Sequence, residues 1–174
     1  MRILLISNFL EDKQKSMIRF SDLLTSNFSN CGINHTEMHP NSCISKFCTT
    51  PKLIKLGGYL DKYFIFPKKI ESLVKRNSFD LIHILDHSNS VYLPKLSKLC
   101  STPKVTTCHD LIAIRTAYGE FSMAPTTSYQ GKRLQKWIKK SLKKSDFYAC
   151  DSVQTRSDLI KIIPESQDKS KVIH

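Results

Sequence analysis

The turn that follows the first apolar segment, Asn8 to Lys15, contains no glycine, and the whole chain has only five. Neither Gly-x-Gly-x-x-Gly nor a Gly-Lys-Ser/Thr loop occurs. A dinucleotide or ATP cradle, which needs glycine for close backbone approach to phosphate, is therefore missing its usual parts. A serine hydrolase triad likewise lacks its Gly-x-Ser-x-Gly elbow. The six cysteines, Cys31, Cys43, Cys48, Cys100, Cys108 and Cys150, include no Cys-x-x-Cys pair and read as reduced, cytosolic thiols. Arg2-Ile3-Leu4-Leu5-Ile6 is strand-like rather than a signal peptide. Apolar runs stop at about five residues, against the roughly 20 of a membrane-spanning helix, so any membrane contact is expected to be peripheral. Acidic residues are also few, 15 against 27 basic, and the net charge of +12 favours an anionic neighbour: phosphate, nucleic acid or acidic lipid.

What is present suits one α/β domain. A chain of 174 residues, 40% hydrophobic, can bury one full core. Apolar strand-like runs alternate with longer amphipathic stretches, the pattern of a parallel sheet wrapped by crossover helices. Strands are predicted at Arg2 to Ser7, Ile33 to Met38, Phe79 to Leu85, Pro103 to Cys108 and Asp146 to Cys150, with another beginning at Lys171 to His174. A helix is expected from Lys15 to Asn30, with Ile18, Leu23, Leu24 and Phe28 on one face and Cys31-Gly32 as its stop. A short helix near Lys52 to Leu56, a break at Gly57-Gly58 and a helical stretch to Arg76 follow. Further helices are expected from Ser90 to Leu99, from Lys132 to Leu142, and from an Asp151 or Ser152 cap to near Pro164.

Strand ends fall at Asn8, Asp86-His87, His109-Asp110 and Asp151-Ser152, and in a doubly wound sheet all four border one crevice. The competing explanation is that loops are polar wherever they occur. His109 can hydrogen-bond a hydroxyl or donate to a phosphate, while Asp110 can orient it, fix its tautomer or accept from a ligand. Adjacent side chains on a regular strand point to opposite faces, so His109 is taken as the ligand-facing member. His83, Asp86 and His87, like His35 and His39, invite a metal reading, but no third and fourth ligand stand at a recognisable spacing. His83 is expected to lie within its strand and to be structural.

Two basic patches stand out. Lys132, Arg133, Lys136, Lys139, Lys140, Lys143 and Lys144 lie opposite Leu134, Trp137, Ile138 and Leu142, which reads first as a solvated face over a buried Trp stripe. Lys52, Lys55, Lys62, Lys68 and Lys69, interleaved with Tyr59, Tyr63, Phe64 and Phe66, make the better interfacial surface. A non-catalytic basic module binding nucleic acid or anionic membrane is the competing class, although no nucleic-acid motif is recognisable.

Phe79-Asp80-Leu81-Ile82-His83-Ile84-Leu85-Asp86-His87-Ser88, Thr106-Thr107-Cys108-His109-Asp110-Leu111-Ile112-Ala113-Ile114-Arg115, the Gly131 to Leu142 helix and Asp151-Ser152-Val153-Gln154-Thr155-Arg156-Ser157-Asp158-Leu159 occur in an order and spacing that resembles the N-terminal half of a family 4 glycosyltransferase. The resemblance is strongest from Phe79 onward. It implies a GT-B architecture, in which two Rossmann-like domains face across a cleft, and a retaining transfer of a hexose-type sugar from a nucleotide-sugar co-substrate, with no cofactor and no metal. His109 is then the cleft histidine at the donor sugar, with Asp110 beside it. Asn8 lies in the first loop, Asp86 and His87 border the acceptor, and Arg115, Ser152 and Thr155 complete the substrate-binding set.

The resemblance departs in two places. Many relatives have a glycine pair in the first loop, and Glu11 to Ser16 has none, which argues against close diphosphate contact there. The chain also ends at His174, before a donor domain. Residues 1–174 are therefore expected to form the acceptor domain alone, inactive until a donor domain or second chain supplies the opposite wall. The expected setting is cytoplasmic, peripheral to the inner membrane face, with a glycan or lipid-linked acceptor in polysaccharide or glycolipid synthesis and no nucleic acid.

Overall fold

The computed structural model describes residues 1–121 and 127–173. Six parallel strands, β1 (Arg2–Ile6), β2 (Asn34–Met38), β3 (Leu81–Ile84), β4 (Lys104–Cys108), β5 (Phe147–Cys150) and β6 (Ser170–Val172), form one sheet in the order β2-β1-β3-β4-β5-β6. The helices are α1 (Lys15–Asn30), α2 (Pro51–Leu60), α3 (Phe66–Arg76), α4 (Leu93–Leu99), α5 (Ile112–Ala117), α6 (Tyr129–Leu142) and α7 (Val153–Ile162). This is the expected Rossmann-like α/β sheet; His174, read as continuing the last strand, lies outside the described residues.

The uninterrupted apolar run of β1 follows from burial on both faces. Ile3 and Leu5 pack toward Phe20, Leu24 and Phe28 of α1, whereas Leu4 and Ile6 join the larger cluster with Phe66, Ile70, Leu93 and Leu96. The first helix has the expected bounds, and Gly32 ends it with φ of 66°, a conformation glycine adopts without strain. Leu23, expected on its packed face, is exposed.

Gly57-Gly58 is not a break. Helix α2 runs through both; a Cβ on Gly57 would lie 2.8 Å from Ser45 Cα, whereas one on Gly58 would meet the Phe9 ring at an ordinary contact distance of 3.5 Å. Gly57 lets the 45–47 turn approach the helix closely. Thr50 caps α2, its hydroxyl accepting from the Leu53 N–H.

The rod then continues through one widened π turn, Asp61–Ile65, into α3. Pro67 explains the widening: it has no N–H to give the Tyr63 carbonyl and its ring crowds that oxygen. The Phe66 N–H reaches back to the Asp61 carbonyl.

Both basic patches are rearranged relative to expectation. Trp137 is 42% exposed and leans on Tyr63 with ring centroids 5.1 Å apart, so only Ile138 and Leu142 of its stripe are fully buried. Phe66 is core, and Lys62 is spent on Asp12 at 2.6 Å. The segment from Ser90 that was expected to be helical begins as a tight 3-10 turn, His87–Tyr92, and becomes α-helical only at Leu93. No helix among the described residues is long and apolar enough to cross a membrane.

Candidate functional site

From β1 the chain moves outward to β2 and then returns past β1 to β3, so the strand order reverses between β1 and β3. Open parallel sheets hold ligands outside the carboxyl ends of the strands at such a reversal. Asn8 follows β1 and Asp86 follows β3, and their side chains meet there: Asn8 Nδ2 donates to Asp86 Oδ2 at 2.7 Å. Asn8 also donates to Gln14 Oε1 and accepts from Asn89 Nδ2 at 2.6 Å, so each of its polar atoms is committed.

Asp86 accepts in addition from the Ser88 N–H at 3.1 Å and the Ser88 hydroxyl at 2.7 Å. His87 Nδ1 lies 3.0 Å from Asp86 Oδ1 but is not aligned as a hydrogen bond. Burial opposes ionisation of Asp86. The His87 contact and the hydrogen bonds from Asn8 and Ser88 outweigh it and hold the carboxyl far below the ordinary carboxylate range. Asp86 is thus a fixed anion under the crevice rather than a proton carrier.

His109 follows β4. Its Nε2 lies 3.0 Å from the Leu85 carbonyl oxygen, and a carbonyl can only accept, so Nε2 bears the proton. Phe20 packs its ring against the imidazole at 4.7 Å, nearly perpendicular. Nδ1 faces the Asp151 carboxylate from 3.8 Å, beyond hydrogen-bond reach. The ring is therefore held by Leu85 and Phe20, and Nδ1 makes no hydrogen bond within the domain.

Asp110 lines the same crevice: one carboxylate oxygen accepts the Ile112 N–H at 3.1 Å and shapes the entrance to α5. A cavity of about 360 Å³ opens between the start of α1 and these strand ends, with Gln14, Met17, Asp86, His87, His109 and Gln135 among its walls.

The remaining expected site residues are committed elsewhere. Arg115 binds Glu120 at 2.7 Å and Asp158 at 2.6 Å and lies over the Phe121 ring, so its guanidinium braces α5 against α7. Ser152 caps α7, accepting the Thr155 N–H at 3.0 Å. The Thr155 hydroxyl lies within 3.1 Å of the His109 carbonyl and 2.8 Å of Asp151, which fastens the loop after β4 to the loop after β5. These two support the site from behind.

His83 is structural as expected: it sits in β3, 2.8 Å from the Thr107 hydroxyl, and burial, followed by the nearby His109, lowers its pKa to about 4. Among the described residues no three His, Cys, Asp or Glu side chains gather as a metal site would require.

Three polar residues of the crevice were not foreseen: Gln14, Asn89 and Gln135. Gln135 Oε1 is buried without a hydrogen-bond partner at the edge of the cavity, an arrangement that usually has a reason in a native site. No pattern in the sequence could have found it, because α6 reads there as an apolar stripe beside a basic face.

A protein-family model described as Glycosyltransferase Family 4 matches residues 48–174, well over half of the chain. No curated protein matches it. The all-parallel Rossmann-like sheet, the crevice at its reversal point and this match agree, and the chain belongs to glycosyltransferase family 4.

Proposed function

We propose that this domain forms the acceptor wall of a retaining glycosyltransferase that moves a hexose-type sugar from a nucleotide sugar to a hydroxyl of a glycan or lipid-linked acceptor. The observation that carries the reading is the crevice itself, where His87, His109, Asp110 and Gln135 line one cavity at the reversal point of the sheet. His109 and Gln135 meet the substrates, His87 borders the acceptor, and Asn8 and Asp86 form the rigid floor. Asp110 offers its second carboxylate oxygen to the acceptor, whereas Arg115, Ser152 and Thr155 brace the site.

Catalysis rests on positioning and on electrostatic stabilisation of the departing diphosphate, which falls to a second, donor-binding domain facing this crevice. The reaction requires no cofactor and belongs to polysaccharide or glycolipid synthesis in the cytoplasm, with peripheral contact at the anionic inner membrane face.

The test is sugar transfer from UDP- and GDP-hexoses to a glycolipid extract in detergent solution, by the chain alone and by the chain joined to a donor-binding domain of the same family. Transfer with retained anomeric configuration is expected only from the joined protein, with His109→Ala lowering it by about 10²-fold. Inverted product, or a fully active His109→Ala variant, would overturn the reading.

A further inference from the structure

Helix α2 leans on the body of the protein through its glycines and leaves most of its remaining surface to solvent. Pro51 through Leu56 are all exposed, whereas Gly57 and Gly58 are buried. Seven of the 18 large apolar side chains exposed anywhere in the described residues fall between Ile44 and Phe64. Phe47 is the extreme case at 78%, followed by Phe64 at 66% and Leu56 at 55%.

Phe47 is not on a loose loop. Its turn is clamped to the helix rod by Asp61, whose carboxylate accepts the Ile44 N–H at 2.8 Å, the Ser45 N–H at 3.0 Å and the Ser45 hydroxyl at 2.7 Å. Asp61 is also the only acid between residues 44 and 70, and it is 1% exposed. The outer surface of this segment therefore presents Lys46, Lys52, Lys55 and Lys68 with no carboxylate of its own to answer them.

We propose that α2, with the turn before it and the π turn after it, is the face by which the protein lies on an anionic lipid bilayer. Phe47, Leu53, Leu56 and Phe64 enter the headgroup and acyl boundary, while Lys46, Lys52 and Lys55 extend along it to lipid phosphates. Charge selects this occupant. A second copy docking through the same patch by a two-fold contact would set lysines against lysines, whereas anionic headgroups complement them.

The face also adjoins the crevice. A cavity of about 210 Å³ between α2 and the first loop is lined in part by Ile54, Lys55 and Tyr59, and it shares Phe9, Asp12 and Lys62 with the cavity that reaches Asn8 and Asn89. A bilayer at α2 lies at the mouth of the site. This inference deepens the peripheral contact proposed above, and it does not depend on sugar transfer.

The test is flotation of the purified chain with vesicles of phosphatidylcholine, with and without phosphatidylglycerol, and no donor present. Binding is expected only to the anionic vesicles. Phe47→Ser with Leu56→Ser, and separately Lys52→Glu with Lys55→Glu, should each weaken it by roughly tenfold or more. Lys139→Glu with Lys140→Glu on α6 should leave it nearly unchanged.

Leu56→Trp in a Trp137→Phe background adds a direct readout, a blue-shifted fluorescence on mixing with anionic vesicles only. Absence of wild-type flotation, unaffected α2 variants, an unshifted Trp at position 56, or a concentration-dependent dimer abolished by the α2 changes would overturn the proposal. Flotation can fail while detergent-phase transfer succeeds, and the reverse, so the two readings fall separately.

Discussion

The crevice and the α2 face adjoin one another and are built on opposite lines. In the crevice, Asn8, Asp86 and Asn89 are polar and buried, and with the half-buried Ser88 they are bonded to each other, so their charge and dipoles are spent holding the ends of β1 and β3 in place. On α2 and its flanking turns the apolar and basic side chains have few partners within the domain, and the one acid, Asp61 of the π turn, is turned inward. Groups already engaged with one another act as framework for the groups between them, while groups left without partners are available to something outside the fold. By that measure His109 Nδ1, which makes no hydrogen bond, belongs with the lysines of α2 and apart from Asn8 and Asp86.

Removing the anion beneath the crevice breaks the comparison most sharply. Asp86→Ala leaves Asn8 Nδ2 with Gln14 alone and removes the acceptor of both donors of the half-buried Ser88, and a loss of about 2–4 kcal/mol in urea unfolding is expected. The paired Lys52→Glu and Lys55→Glu changes on the exposed face should cost no more than about 0.5 kcal/mol each. Equal losses at the two sites would erase the distinction.

Titration sharpens the same point inside the sheet. The folded-state pKa of His83, about 4, lies below its unfolded value near 6.5, so between these values the unfolded chain binds more protons and stability falls as pH drops. The expected loss is on the order of 2 kcal/mol across that window, reached by pH 4, and a His83→Asn variant should show a flatter stability curve.

A smaller effect distinguishes the two glycines beneath α2. Gly57→Ala must displace Ser45 backbone and should destabilise by about 1–3 kcal/mol. Gly58→Ala meets the Phe9 ring at an ordinary contact distance and gains helix propensity, so thermal unfolding should show it neutral or slightly stabilised.

The sheet and its strand ends were legible in the sequence because they rest on local signals. Apolar runs bounded by polar residues gave β1, β3, β4 and β5, and Lys15 to Asn30 was bounded by its periodicity and Gly32. Ser152 was readable as a cap for the same reason. What was hidden depends on neighbours distant in sequence. Gly57 looked like a stop because nothing local reveals that Ser45 needs the space of its missing side chain. Arg115 looked like a ligand-binding cation because Asp158 lies 43 residues further on. Gln135 gave no sign at all, since an orphaned carbonyl exists only once α6 has docked over the strand ends.

The π turn at Asp61–Ile65 has a consequence for how this chain tolerates length changes. Helices α2 and α3 are one rod, yet the first exposes its apolar side chains and the second buries Phe66 and Ile70 in the core. Widening one turn offsets the two segments by about one residue, roughly 100° of rotation. The turn therefore works as a phase shifter, and deleting a single residue within it would swing the apolar stripe of α2 toward a new direction while leaving every strand of the sheet untouched.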